Sequence, residues 1–205
     1  MYLFPIMSFR TTIEEWSEGR SIAGRMALMI LLVVLGAYLA VRPNAWTPFG
    51  PLDLVIHEVG HPAFRIFGEW MTYAGGTILQ HLVPIISVFI LLRQGEYFGI
   101  PFCGVWFAVN MYETARYIAD TRSQVLPLVT LGTGDEPAMA KFTDWEYLLD
   151  RIPGLSIEYD TNVAFAVRIA AFIVMWSSIG FGFWMLWAMY KGNQLKPEEG
   201  LEPND

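Results

Sequence analysis

The sequence predicts an all-α membrane protein: a polytopic bundle of about five hydrophobic helices that forms a single domain over residues 1–205. Of the 205 residues, 54% are hydrophobic and only 16% are charged, whereas a soluble domain usually carries about a quarter charged residues. Several apolar stretches approach the length of about 20 residues that a helix needs to cross a bilayer. Backbone groups within lipid must be hydrogen-bonded inside the chain, which favours helices for these stretches.

The composition also excludes several classes of protein. A disulfide scaffold is excluded because Cys103 is the only cysteine. The formal net charge is −7 and the 13 lysines and arginines are scattered singly, so no basic surface is expected that would neutralise phosphates. We therefore expect a lipid bilayer and no nucleic acid as a partner, while the oligomeric state stays open.

Five hydrophobic stretches make up the predicted bundle. The first is interpreted as a retained anchor, because no small-residue cleavage site precedes Arg42. The second is about one turn short of a full span, and a re-entrant second stretch would reverse the orientation of everything after it. Short links, among them residues 69–76 with a turn signal at Gly75-Gly76, predict that stretches two to four are antiparallel neighbours. The five stretches cover residues 22–41, 52–68, 77–92, 98–119 and 163–190.

Polar segments flank these stretches. Residues 1–21 form an N-terminal polar segment, in which a short interfacial helix is expected. Residues 121–162 form the one sizeable loop outside the membrane, and Thr143-Asp-Trp-Glu146 within it predicts a capping box at the start of a short amphipathic helix. Residues 195–205 form an acidic tail that is predicted to be disordered.

The second stretch contains the pattern H-E-x-x-H as His57-Glu-Val-Gly-His61. Residues four apart lie on the same face of a helix, so both imidazoles are able to reach one metal ion. Such a pair supplies two of the three protein ligands of a catalytic zinc site, which keeps a fourth position for water. Glu58 is offset by about 100° and is expected to act as the general base beside that water. Ionisable groups are costly inside a bilayer, which favours a functional zinc site over a structural cluster.

This short apolar helix with its H-E-x-G-H pattern, in a small polytopic protein, resembles the site-2 protease family of intramembrane zinc metalloproteases. The resemblance covers the motif and the order of spans over residues 52–122. It implies two zinc ligands and a general base on this helix, and an aspartate ligand from a later helix within an Asp-Gly motif. Ala119-Asp-Thr-Arg122 is similar to the Ala-Asp-x-Arg of compact bacterial membrane proteins with H-E-x-G-H, which implies a bacterial inner (plasma) membrane. The chain departs from the family pattern because Asp120 precedes threonine, no regulatory domain is inserted, and Pro62 follows the motif and is expected to bend the helix.

The third zinc ligand stays open between two residues. Asp120 ends a polar stripe on one face of the fourth stretch, which it forms with Asn110, Glu113 and Tyr117 at intervals of three and four residues. A polar stripe on an apolar helix is expected to face the bundle interior. His81 is the rival, because it is the only other histidine and a short link brings its helix back beside the motif.

Further polar residues are candidates for binding substrate or for supporting the ligands. Glu113 is a candidate ligand or hydrogen-bond acceptor near the metal. Asp53 lies one turn before the motif and is expected either to orient the first imidazole or to cap the helix. Asn110 and Gln80 are expected either to bind a substrate backbone or to form hydrogen bonds between helices. Asp144 is able to approach the site as well, although a capping role already accounts for it.

Together these observations predict a membrane-embedded, zinc-dependent peptidase that hydrolyses a peptide bond in or near the bilayer through a metal-bound water. Its expected substrate is a peptide or a membrane-protein segment. Two alternatives stay open. One is a metal-binding membrane protein without proteolysis, either a pseudoenzyme or a carrier, and the other is a zinc-dependent hydrolase of an amphiphilic, non-peptide substrate. A transporter is disfavoured because the stretches show no repeated half.

Overall fold

The computed structural model of the chain describes residues 8–126 and 143–194. Over these residues the chain is helical with no β-strand, which confirms the predicted all-α class. The predicted tail 195–205, and parts of the N-terminal segment and of the loop, lie outside the described residues. The helices are α1 (Phe9–Ser17), α2 (Ala23–Val41), α3 (Gly50–Phe64), α4 (Glu69–Arg93), α5 (Gly99–Ala119), α6 (Asp144–Arg151) and α7 (Asp160–Gln194).

Three helices of the described chain are long and apolar enough to cross a membrane, namely α2, α4 and α7. Each coincides with a predicted stretch, although α4 begins at Glu69 rather than at Thr77. Helix α5 has 21 residues and packs against both α4 and α7. The short helix predicted near the N-terminus is also present as α1, with Ser8 as its N-cap.

The turn predicted at Gly75-Gly76 is wrong, because both residues lie inside α4. The glycines instead allow α3 and α4 to approach at backbone distance. A Cβ added at Gly60 of α3 would collide with the carbonyl of Gly75, and one added at Gly75 would lie 2.6 Å from the carbonyl oxygen of Gly60. A Cβ added at Gly76 would lie 2.6 Å from Nε2 of His57. Gly75 and Gly76, which were expected to form a turn, are therefore small residues at the interface between α3 and α4.

The helices define two ends of the bundle. At one of them, called the site end here, α2, α3 and α5 finish while α4 and α7 begin. Arg122 after α5 donates two hydrogen bonds of 2.8 and 2.7 Å to Asp160 at the start of α7. Arg168 of α7 donates a hydrogen bond of 2.8 Å to Asn44, which follows α2. At the opposite end, the link between α1 and α2 is hydrogen-bonded to the last turn of α7.

Helix α3 covers only part of the length of the bundle. Its 15 residues rise by about 22 Å, whereas the 25 residues of α4 rise by about 38 Å. Phe49, immediately before α3, packs on Phe102 and Trp106 in the first half of α5, and Trp106 donates a hydrogen bond of 2.7 Å to Asp53. Helix α3 therefore begins beside the first half of α5 and ends at the site end, where α2 also ends. This position fits the re-entrant alternative, since a crossing helix would finish at the end opposite to α2, and the predicted number of five spans is not confirmed.

The largest buried core lies between α2, α5 and α7. Its fully buried side chains include Met29, Val105, Met175 and Met185. Lipid tails are as apolar as these side chains, so close van der Waals packing holds membrane helices together more than removal from water does. Large apolar side chains cover the outside of the helices, among them Leu31, Phe89 and Phe165.

Candidate metal centre

The two histidines of the motif lie on one face of α3, as their spacing predicts. The ring centroids of His57 and His61 are 5.0 Å apart, and His57 is only 7% exposed. Pro62 does not end the helix, because α3 continues to Phe64 before a short 3-10 turn follows. The pair is therefore presented by a continuous helix.

Asp144, the first residue of α6, completes a group of three potential metal ligands. Its Oδ2 lies 3.0 Å from Nε2 of His57 and 3.5 Å from Nε2 of His61. The three donor atoms all lie within 4.8 Å of one another. Tetrahedral zinc ligands at 2.0–2.2 Å from the ion are separated by about 3.4 Å, so both distances to Asp144 fit such a site.

The second ring nitrogen of each histidine faces a carbonyl oxygen of α4. Nδ1 of His57 donates to Oε1 of Gln80 over 3.2 Å, and Nδ1 of His61 donates to the backbone carbonyl of Thr72 over 2.8 Å. A carbonyl oxygen only accepts, so each ring must carry a proton on Nδ1 to make its hydrogen bond. This leaves Nε2 of both rings for a metal, and hydrogen bonds of this kind fix the orientation of ligating imidazoles.

Helix α6 is held against α4 and α5 in a position that brings Asp144 to the histidines. The Thr143 half of the predicted capping box is confirmed, because Thr143 Oγ1 accepts a hydrogen bond of 3.2 Å from the backbone three residues later. The ring of Tyr147 stacks on Tyr73 of α4 with centroids 3.8 Å apart. The Tyr117 hydroxyl of α5 donates to Oδ2 of Asp144 over 3.4 Å and accepts from its backbone N–H over 3.3 Å.

Asp120 is not brought to the histidine pair, and the expected third ligand is revised in favour of Asp144. The Asp120 carboxylate accepts a hydrogen bond of 2.6 Å from Ser123 and two of 2.9 Å from backbone N–H groups of the following loop. Partial burial raises the pKa of Asp120, but these hydrogen bonds outweigh it and hold the pKa below its usual value. The carboxylate is thus engaged in ending α5.

His81 does not belong to the group of three either. Its Nδ1 donates to the backbone carbonyl of Thr77 over 2.8 Å, and its ring packs edge-on against Phe107 of α5. His81 follows Gln80 directly, and successive residues of a helix point about 100° apart. Because Gln80 faces His57, the next side chain on α4 is directed elsewhere.

Gln80 lies at the centre of a hydrogen-bond network that joins α3, α4 and α5. Its Nε2 donates to Oε2 of Glu113 over 3.3 Å, and Asn110 donates to its backbone carbonyl over 2.6 Å. The other oxygen of Glu113 accepts a hydrogen bond of 3.0 Å from Thr47. The polar stripe on α5 therefore faces the bundle interior, as predicted, and Asn110 forms the hydrogen bond between helices that was one of its two expected roles.

Asp53 takes neither of its two predicted roles. It is fully buried, its Oδ1 accepts the hydrogen bond from Trp106, and no N–H or O–H of another group reaches its Oδ2. The carboxyl group of Glu113 lies beside it. Gln80 rather than Asp53 orients His57, and no side chain caps the start of α3.

A cavity of about 670 Å³ adjoins the site, and both Glu58 and His57 line it. Polar side chains of α4 and α5 form one part of its wall, while the exposed apolar residues Trp46 and Leu54 form another. Asp120 lines it at the site end. A volume of this size is typical of a ligand-binding cavity, and the mixed lining suits a partly apolar substrate.

Asp144 was not among the expected ligands, because its position at a helix start has a local explanation. One signal was available: Thr143 already supplies the capping oxygen, so the next carboxylate is not needed for that purpose. Carboxylates near a helix N-terminus also interact favourably with the helix dipole, which makes this signal weak.

Comparisons with family models, with curated proteins and with solved structures find no match to this chain. Any function therefore has to follow from the donor atoms of the site and from the cavity beside them.

Proposed function

We propose that this chain is a zinc-dependent peptidase of a bacterial plasma membrane, with chemistry similar to that of the site-2 protease family. One observation carries the proposal: Nε2 of His57, Nε2 of His61 and Oδ2 of Asp144 converge beside a cavity that Glu58 lines. Two imidazoles and one carboxylate are a ligand set of catalytic zinc sites.

The donor set favours zinc over harder ions. Imidazole nitrogen suits zinc and other transition metals, whereas magnesium and calcium prefer sites made of oxygen atoms. Three protein ligands are typical of catalytic rather than closed structural zinc sites. When bound, zinc lowers the pKa of water to about 7 and polarises a substrate carbonyl.

Glu58 is the proposed general base. It follows His57 along α3 and lines the same cavity, so its carboxylate lies beside the donor set rather than within it. In this role Glu58 accepts a proton from the attacking water and passes it to the leaving amine, which balances the hydrolysis of a peptide bond. Tyr117 supports the proposed ligand Asp144 through two hydrogen bonds that hold its side chain and backbone in place.

We propose further that four helices, α2, α4, α5 and α7, cross the bilayer and that α3 enters it from the site end without crossing. Non-helical backbone is tolerated at membrane depth where it is buried in protein or lines a cavity. Within the link between α2 and α3, Thr47 meets this condition because it is 1% exposed, and Trp46 lines the cavity. A peptide or membrane-protein segment would then reach Glu58 at the level of one bilayer leaflet.

The test uses the purified full-length protein and a mixture of apolar peptides whose cleavage is followed by mass spectrometry. The wild-type protein is expected to hold one zinc ion and to cleave. Glu58→Gln is expected to keep the zinc and to lose at least a hundredfold in rate, in line with the usual contribution of a general base. Asp150→Asn changes an exposed carboxylate of α6 and is the matched control. Cleavage by Glu58→Gln at the wild-type rate would refute the assignment.

Hydrolysis of an amphiphilic, non-peptide substrate is the second candidate. It is favoured by the lining of the cavity, which includes the exposed apolar residues Trp46 and Leu54 as well as polar side chains. Release of fatty acid from phospholipid vesicles by the wild-type protein, and not by Glu58→Gln, would support this reaction. Stoichiometric zinc without either reaction would support a metal-binding protein that is not an enzyme.

A further inference from the structure

The side-chain amide of Gln80 has to face in one direction for His57 to bind a metal through Nε2. With Oε1 towards the ring, His57 keeps a proton on Nδ1 and offers the lone pair of Nε2. If the amide were rotated by 180°, its NH2 group would donate to Nδ1, and the neutral ring would hold its proton on Nε2. The two orientations have nearly the same shape, so packing alone does not select between them.

Glu113 selects the orientation because a carboxylate only accepts hydrogen bonds. Nε2 of Gln80 donates to Oε2 of Glu113 over 3.3 Å. In the rotated amide, the oxygen of Gln80 would face this carboxylate and no hydrogen bond would form. Thr47 donates to the other carboxylate oxygen over 3.0 Å, which holds the Glu113 side chain in position.

Asp53 is placed to keep Glu113 an acceptor. The two carboxyl groups lie side by side in the bundle interior, where two adjacent negative charges are unfavourable. The Oδ1 of Asp53 accepts from Trp106, and its buried Oδ2 receives no donor. A proton carried on Oδ2 would satisfy this oxygen and would leave Glu113 as the acceptor for Thr47 and Gln80.

We propose that Glu113 is a positioning residue for the metal site: by fixing the amide of Gln80, it presents Nε2 of His57 to the ion. The proposal rests on the metal site of the proposed function, although it concerns binding of the ion and not the bond that is cleaved. His57, Gln80 and Glu113 lie on α3, α4 and α5, respectively. This chain of hydrogen bonds therefore also makes metal affinity depend on how the three helices pack.

The test compares zinc affinities of the metal-free, full-length protein in detergent, measured by competition with a chromogenic chelator. Glu113→Gln is expected to raise the zinc dissociation constant by about 10–100-fold, the usual effect of disturbing hydrogen bonds behind a metal ligand. The double variant Gln80→Glu, Glu113→Gln exchanges the amide and the carboxylate between positions 80 and 113 and keeps their total charge. A carboxylate at position 80 accepts from His57 and an amide at position 113 donates to it, so affinity within about threefold of wild type is expected. Glu96→Gln, at the opposite end of the bundle, is the matched control.

Rescue by the double variant separates this role from a merely structural one, because loss of packing at Glu113 would not be restored by a second change. Wild-type affinity in Glu113→Gln would overturn the proposal, and so would a double variant that binds at least tenfold more weakly than wild type. If Glu113→Gln does not fold, the double variant decides alone by the same limits. A wild-type protein that binds no zinc would overturn the proposed function too. Either negative result with the variants would overturn only the role of Glu113 and would not affect the proposed metal site.

Discussion

Asp144→Asn tests directly whether the first residue of α6 is a metal ligand. The change keeps the size of the side chain, its oxygen still accepts from Tyr117, and the cap at Thr143 is untouched. Disturbing a hydrogen bond behind a ligand lowers metal affinity by about 10–100-fold. Asp144 lies 3.0 and 3.5 Å from the donor nitrogens themselves, so we expect at least the upper value. A hundredfold loss corresponds to about 2.7 kcal/mol of binding free energy.

The assay is zinc competition with a chelator, with thermal unfolding of the metal-free proteins as the measure of folding. Asp120→Asn is the informative control, because the sequence resemblance assigns the third ligand to that residue. We expect it to bind zinc within about threefold of wild type, since its carboxylate is engaged with Ser123 and the following backbone. Normal affinity in Asp144→Asn together with a large loss in Asp120→Asn would refute the structural assignment.

Two further predictions concern packing and topology. Gly76→Ala would place a Cβ at 2.6 Å from Nε2 of His57, below any normal contact distance, so we expect zinc binding to be lost. Gly180→Ala is the control and should bind zinc normally, because the space around Gly180 is open. Equal zinc affinities of the two variants would contradict the close packing of α3 on α4. In a variant without the single cysteine, new cysteines at Arg42 and Glu69 should react with a membrane-impermeant reagent from the same side, and one at Gln94 from the other. Labelling of positions 42 and 69 from opposite sides would instead indicate that α3 crosses the bilayer.

The sequence predicted those features that depend on local spacing. The i, i+4 spacing of His57 and His61 fixed their common face, the pattern after Thr143 predicted its cap, and the period of the stripe on α5 predicted that Asn110 and Glu113 face inward. Each of these follows from helix geometry within one or two turns, so no knowledge of the tertiary structure was needed.

Features that depend on contacts between distant segments were not predicted. Gly75-Gly76 is compatible with a turn or with a close helix interface, and only the approach of α3 decides between them. The length of α3 fits either a short span or a helix that ends where α2 ends. The packing of α6 on α4 and α5 brings Asp144 to His57, and no periodic pattern predicts a contact across 87 residues.

That separation of 87 residues would give a bound ion a second effect besides the proposed chemistry. A metal bound by α3 and α6 would cross-link two distant points of a chain whose lone thiol has no partner to form a covalent one. In the chain-entropy description, closing a loop of this size contributes up to about 4–5 kcal/mol for a soluble chain, and less where the helices already persist in lipid. Removal of the metal by a chelator would then loosen α6 from the bundle in addition to abolishing the proposed activity.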